Sequence, residues 1–77
     1  MNNKRRKEIN ELRNRLEDIK YELESLSDEE SEAYENLPEG IQYSDRGEQM
    51  QENIDRLCDA MSEIDDAIEN IDEAVSN

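Results

Sequence analysis

Large aliphatic residues recur every three or four positions in two separate stretches of the chain. The first stretch contains Ile9, Leu12, Leu16, Ile19, Leu23 and Leu26, and the second contains Met50, Ile54, Leu57, Met61, Ile64, Ile68, Ile71 and Val75. This spacing places them at the a and d positions of a heptad, on one narrow apolar face of a helix. Such a face must be covered by another helix, so the pattern predicts two long helices that pair.

Turn signals between the stretches predict where the helices end. Pro38 disfavours helical backbone at Leu37 and, together with Gly40, marks a turn. The sequence therefore predicts a single domain over residues 1–77. Its predicted elements are a first helix over about residues 3–36, a loop over about 37–44 and a second helix over about 45–75.

Two segments have the spacing of a helix cap. Asp45 and Glu48 match a capping box, in which Asp45 is the N-cap and Glu48 reaches back to it. The acidic segment that begins at Ser27 also resembles a cap. A break in the first helix near Ser27 is therefore an alternative to one continuous helix.

The predicted fold is all-α, an antiparallel two-helix coiled-coil hairpin. Antiparallel pairing sets a positions against d positions, and a pairing centred on Gly40 matches both stripes. The predicted pairs are Ile9–Ile71, Leu12–Ile68, Leu16–Ile64, Ile19–Met61, Leu23–Leu57 and Leu26–Ile54. A register shifted by one heptad also matches a with d, but it leaves Ile9 beyond the end of the second helix, so the first register is preferred.

Charged flanks support the antiparallel orientation. Arg6 is expected near Asp72, and Arg13 near Asp65. The basic run at residues 4–7 would then lie beside the acidic end of the second helix, where opposite charges offset unfavourable helix dipoles. We therefore interpret this run as an internal clamp rather than as a nucleic-acid patch, and direct binding to nucleic acid is not expected.

Alanines widen the apolar face of the second helix. Ala60, Ala67 and Ala74 occupy its g positions, and a face this wide usually covers more than one neighbour. A lone two-helix hairpin also has little core to offset chain entropy. A homodimer that forms a four-helix bundle is expected, and completion by another protein is the alternative.

Composition limits the location and the chemistry of the chain. The net charge of −14 with 32% hydrophobic residues also fits disorder, but the confinement of large aliphatic residues to two stripes favours coiled coil. Cys58 is the only cysteine, and neither a secretory signal nor a membrane span is recognisable, so a cytoplasmic location and no membrane partner are expected.

Nothing in the sequence points to catalysis. There is no His and no glycine-rich phosphate loop or EF-hand spacing. The acidic runs at residues 28–30 and 65–66 are interpreted as solvated helix faces rather than cation sites. The chain is expected to be a non-enzyme without cofactor or metal.

Acidic residues are concentrated toward the loop. Residues 1–20 hold 7 basic and 4 acidic side chains, whereas residues 22–59 hold 13 acidic side chains against two arginines. An end this acidic should attract a basic protein surface, although solubility alone is the alternative explanation. The expected partner-binding residues, called here the acidic loop end, are Asp28, Glu29, Glu32, Glu35, Asp45, Glu48, Glu52 and Asp55.

The segment ENLPEGIQYSDRGEQM at residues 35–50 resembles the loop of small acidic helical-hairpin proteins encoded by phages and mobile elements of Gram-positive bacteria. The resemblance implies a host bacterial cytoplasm, and by analogy inhibition of a host nucleic-acid-binding or defence protein through DNA mimicry. Leu37, Ile41 and Tyr43 in this segment either cap the bundle end or anchor a partner. The alternative function is a structural or assembly coiled-coil protein.

Overall fold

The computed structural model describes residues 1–76, and they form helices joined by short connections. Helix α1 spans Asn3–Glu35, α2 spans Glu39–Gln42 and α3 spans Asp45–Ser76, with no strand in this range. The predicted all-α class is confirmed. Residue 77, which the predicted domain includes, lies outside the described residues.

Helix α1 is capped at its start and continues without a break. The Oδ1 atom of Asn2 accepts a hydrogen bond of 2.8 Å from the backbone N–H of Arg5, which satisfies one of the donors that a helix start leaves unpaired. The helix continues through Ser27, so the break considered there does not occur. Ser27 is only 4% exposed, and it acts as a small residue in the helix contact rather than as a cap.

Helices α1 and α3 lie side by side as a long pair that runs in opposite directions. Arg13, near the start of α1, pairs with Asp72 near the end of α3, and Lys20 pairs with Asp65. The described chain measures 58 × 15 × 12 Å. A long, extended helix pair is thus confirmed.

The register of this pair differs from the predicted one by about one helical turn. Arg13 was expected near Asp65, but it pairs with Asp72 at 2.9 Å. Lys20 pairs with Asp65 instead, at 2.7 Å. Equal steps along two antiparallel helices then bring Leu16 to the level of Glu69, next to Ile68, and Leu23 to the level of Ser62, next to Met61. The pairing centred on Gly40 is therefore wrong. The alternative shifted by a whole heptad does not match these levels either.

The shift occurs because α1 turns its a and e positions, rather than a and d, toward α3. Along α1 the less exposed residues lie mostly at these positions, at 6, 9, 13, 16, 20, 23, 27, 30 and 34, and only Glu17 and Ser31 lie outside them. Leu12, Ile19 and Leu26, at the d positions, are 53%, 46% and 58% exposed. Their predicted place inside the hairpin seam is wrong. The other predicted seam residues are half-buried or buried, namely Ile9, Leu16, Leu23, Ile54, Leu57, Met61, Ile64, Ile68 and Ile71.

The connection between the long helices is partly helical, where a loop was predicted. The side-chain amide of Gln42 in α2 donates to the carbonyl oxygens of Tyr34 and Glu35, at 3.1 and 3.3 Å. These bonds satisfy carbonyls that the end of α1 leaves unpaired. Gly47, in the first turn of α3, is buried and packs against the backbone of Ile41 and Gln42.

Helix α3 begins with a cap one residue earlier than predicted. The backbone N–H of Glu48 donates to the carbonyl of Ser44 at 3.0 Å, which is the first bond expected from an N-cap. Asp45 is already inside the helix. The hydroxyl of Ser44 donates to the carbonyl of Ile41, so the predicted capping box centred on Asp45 is wrong.

The two glycines provide a matched test of this packing. A methyl group added at Gly47 would overlap the carbonyl of Gln42 and lie 2.6 Å from that of Ile41, whereas one at Gly40 would meet nothing within 4 Å. Gly47→Ala should lower the free energy of unfolding by about 1–3 kcal/mol. Gly40→Ala should raise it by about 0.5–1 kcal/mol, because it restricts the unfolded chain. Denaturant unfolding followed by circular dichroism measures both, and equal effects would contradict the described packing.

Candidate interaction surfaces

The structure brings the acidic loop end together at one end of the rod. All eight of its side chains are exposed. Glu35 of α1 and Asp55 of α3 line one open groove, together with Ser31, Tyr34, Gln51 and Ile54. None of the ion pairs found within residues 1–76 involves the eight carboxylates. Their charges therefore remain available to a partner.

The opposite half of the rod uses its cations internally. The guanidinium of Arg13 bonds both Glu17 and Asp72, and the ammonium of Lys20 bonds Asp65. The hydrogen bond with Asp72 raises the pKa of Arg13, and the one with Asp65 raises the pKa of Lys20. Since both pKa values rise above the ordinary ones of the unfolded chain, the ion pairs are complete at neutral pH. As pH rises, the pairs persist until these raised pKa values are passed at strongly alkaline pH.

The predicted partners of these ion pairs are therefore wrong, but the predicted contact between cations of α1 and carboxylates of α3 is present. The carboxylate of Asp72 is bonded by Arg13 rather than by the expected Arg6. Cations of α1 still lie against carboxylates of α3 in this half of the rod. Of the net charge of −14, −11 lies in the other half, in residues 22–59.

The charge density of the acidic end can be compared with that of duplex DNA. Residues 22–59 carry 13 acidic and 2 basic side chains, a net charge of −11. They occupy about 30 Å of the rod at 1.5 Å per helical residue. One net charge then falls every ~3 Å, compared with one per about 1.7 Å of duplex DNA. One copy of the chain approaches the charge density of DNA without reaching it.

The three candidate loop anchors do not share one environment. Leu37 is half-buried beside the end of α1, as expected of a residue that closes the helix pair. Ile41 is 37% exposed and Tyr43 is 76% exposed. Tyr43 is thus the anchor candidate that the structure leaves most open to a partner.

An exposed apolar stripe along α1 was not predicted. Leu12, Ile19 and Leu26 recur at every seventh position, and each is about half exposed. Leu26 lines a groove with Asn53, a g position of α3, and with Leu57. The stripe therefore lies on the same side of the helix pair as the g positions of α3. This exposure arises because α1 turns its a and e positions toward α3. The only sequence signal for that orientation was the set of residues at the e positions of α1, namely Arg13, Lys20, Ser27 and Tyr34.

Residues 1–76 contain no group of three or more histidine, cysteine, aspartate or glutamate side chains arranged to hold a metal ion. Cys58 is exposed. Over the same residues, no helix combines the length and the apolar character needed to cross a membrane.

No known protein family matches this chain, and neither a similar curated protein nor a similar solved structure was found. The resemblance of residues 35–50 to phage-encoded hairpin proteins therefore stays a prediction.

A charge exchange tests the register and the clamp together. Arg13→Asp should lower the melting temperature, because the introduced carboxylate would face that of Asp72. Adding Asp72→Arg should recover most of the loss by restoring the pair in reverse. The matched control combines Arg13→Asp with Asp65→Arg, the partner expected from the sequence. Thermal unfolding at low salt should show no recovery in this control, because the introduced guanidinium would meet Lys20. Recovery of the melting temperature only in this control would refute the described register.

Proposed function

We propose that this protein is a non-enzymatic interaction module whose acidic loop end binds a basic protein surface. The observation that carries the proposal is the division of charge along the rod. Arg13 and Lys20 are paired with Asp72 and Asp65 in one half. In the other half, exposed carboxylates of α1 and α3 outnumber the only two cations, Arg46 and Arg56.

DNA mimicry is the mechanism that this charge arrangement supports best. A rigid helix pair holds its carboxylates at fixed spacing, as a duplex holds its phosphates. A groove that binds nucleic acid is lined by lysine and arginine and gains affinity by releasing counterions. An anionic rod gains affinity from the same groove in the same way. We propose that the target is a nucleic-acid-binding or defence protein of a bacterial host, and that the protein acts in the host cytoplasm as a phage or mobile-element inhibitor.

We further propose that the helix pair is a hairpin completed as a four-helix bundle by a second copy. Only Ile68 is a buried large hydrophobic residue within the described chain, at 7% exposure. A pair of helices with so little buried apolar area has a small margin of stability. A second copy would bury the apolar residues that the pair leaves half exposed.

A structural or assembly role is the second candidate, and the exposed stripe at Leu12, Ile19 and Leu26 favours it. In such a role the apolar surface would carry the function and the charge would only maintain solubility. Leu23 and Leu57 line one groove between the helices. Changing both to polar residues should abolish an assembly function by separating the helices, whereas reversal of surface charges should have little effect.

The acidic loop end can be tested by charge reversal. A variant with Lys at Asp28, Glu32, Glu48 and Asp55 should lose capture of basic proteins from a nuclease-treated bacterial lysate, because attraction becomes repulsion. Its circular dichroism should stay helical, since all four positions are exposed. The wild-type capture should be released by moderate salt and by added duplex DNA, as competition for one groove requires.

The matched control reverses the same number of exposed carboxylates outside the acidic loop end, at Asp18, Glu63, Asp66 and Glu69. The control should retain more capture than the test variant at equal net charge. Unchanged capture by the test variant, or capture that excess duplex DNA does not displace, would refute the proposed mimicry.

A further inference from the structure

The exposed stripe of α1 continues across the helix pair onto α3. Leu12, Ile19 and Leu26 form the α1 side. The g positions of α3 form the other side, because Leu26 and Asn53 line a common groove. Three alanines, Ala60, Ala67 and Ala74, follow Asn53 at heptad intervals. We call these six apolar residues the stripe face.

We propose that the stripe face binds the stripe face of a second copy, with the two rods antiparallel and a two-fold axis beside Ile19. This inference names the interface of the dimer and rests on the proposal that two copies form a four-helix bundle. It does not depend on a basic partner. The second copy is favoured over other occupants by the position of Ile19, by local charges, by the charge of the whole rod and by area.

Ile19 lies at the middle of the rod. Helix α1 spans Asn3–Glu35, and Ile19 is its central residue. A two-fold axis at this point overlays the two rods along their full length. It also sets Leu12 of each copy against Leu26 of the other, so the apolar sequence of the stripe reads the same in both directions, as a two-fold interface requires.

Charges at the edge of the stripe select the antiparallel arrangement. Arg15 precedes Ile19 by four residues and Glu22 follows it by three, both at exposed g positions. The two-fold axis therefore brings Arg15 of each copy close to Glu22 of the other. A parallel two-fold arrangement would instead set α1 of each copy against α3 of the other, so Arg15 would not meet Glu22 and both attractive contacts would be lost.

The charge of the whole rod favours the same arrangement. The half of the rod that contains residues 1–20 and 60–76 carries 7 basic and 10 acidic side chains, a net charge of −3, and the half that contains residues 22–59 carries a net charge of −11. In the antiparallel dimer the less acidic half of one copy lies against the acidic end of the other. A parallel dimer would place both acidic ends side by side, within the ~8 Å over which charges interact at physiological salt.

The available area is sufficient for a stable dimer. A rod of 58 × 15 × 12 Å offers a face across both helices of 58 by 15 Å, or about 870 Å² per copy, so two copies would bury about 1,700 Å² in total. Specific protein interfaces bury about 1,200–2,000 Å². The stripe face therefore meets this requirement when the rods overlap along most of their length.

Charge exchange at the edge of the stripe tests the interface. Sedimentation equilibrium should give the wild type twice its chain mass of 9.1 kDa. Arg15→Glu and Glu22→Arg should each raise the dimer dissociation constant by ~10-fold, because each replaces two attractive contacts by repulsive ones. The double exchange should restore the wild-type value. Lys7→Glu, an exposed substitution of the same charge on the outer face of α1, is the control and should have a smaller effect.

Chemical cross-linking tests the direction of the rods without depending on affinity. Both variants carry Cys58→Ser, and one adds Leu12→Cys whereas the other adds Leu26→Cys. A short bismaleimide should cross-link the two variants to each other in a mixture, and neither should cross-link to itself. Self-cross-linking of each variant would overturn the antiparallel arrangement.

The remaining outcomes separate this inference from DNA mimicry. A wild type that stays monomeric at every concentration would overturn the stripe-face dimer, even if its capture of basic proteins persisted. If the single variants weakened the dimer and the double exchange restored it, but the wild type captured no basic protein, the stripe-face interface would be supported and the proposed DNA mimicry refuted. Loss of dimer in the single variants without recovery in the double exchange would overturn the pairing of Arg15 with Glu22.

Discussion

The structure depends on which side of α1 turns toward α3. Hydrogen bonds of Arg13 and Lys20 with Asp72 and Asp65 hold the e positions over the contact. The aliphatic stems of these two side chains then cover apolar surface, while their charged ends reach the rim. The buried Ser27 at the next e position leaves room for α3 to approach. This rotation exposes the d positions, and it uses Arg13 and Lys20 in the half of the rod opposite the acidic loop end.

The connection sets the offset between the helices. Gln42 binds the last carbonyls of α1, and Gly47 allows the first turn of α3 to lie directly on α2. A tight symmetric loop would have centred the pair on Gly40. The short helix instead lets α3 begin beyond the end of α1, and the contacts further along the rod move by about one turn.

Sequence reasoning was effective where the signals are local. The bounds of both long helices follow from heptad periodicity and from Pro38, and they agree with the structure within about one residue. The convergence of the acidic residues follows from chain reversal alone. The register was not accessible in this way, because Arg13 and Lys20 at e positions resemble an exposed flank until their carboxylate partners are known. The four-residue α2 is too short to show any periodicity.

The exposed stripe and the acidic surface bear on one another in the proposed dimer. Two copies carry twice the charge of −14 along the same length of 58 Å, or one net charge per ~2 Å, close to the spacing of about 1.7 Å in duplex DNA. One copy alone is less dense and concentrates its charge at one end. Antiparallel packing spreads the charge evenly and gives it two-fold symmetry, which is also the symmetry of many proteins that bind DNA as dimers. Self-association and mimicry are therefore compatible in this fold, because the dimer that covers the stripe also produces the surface that most resembles DNA.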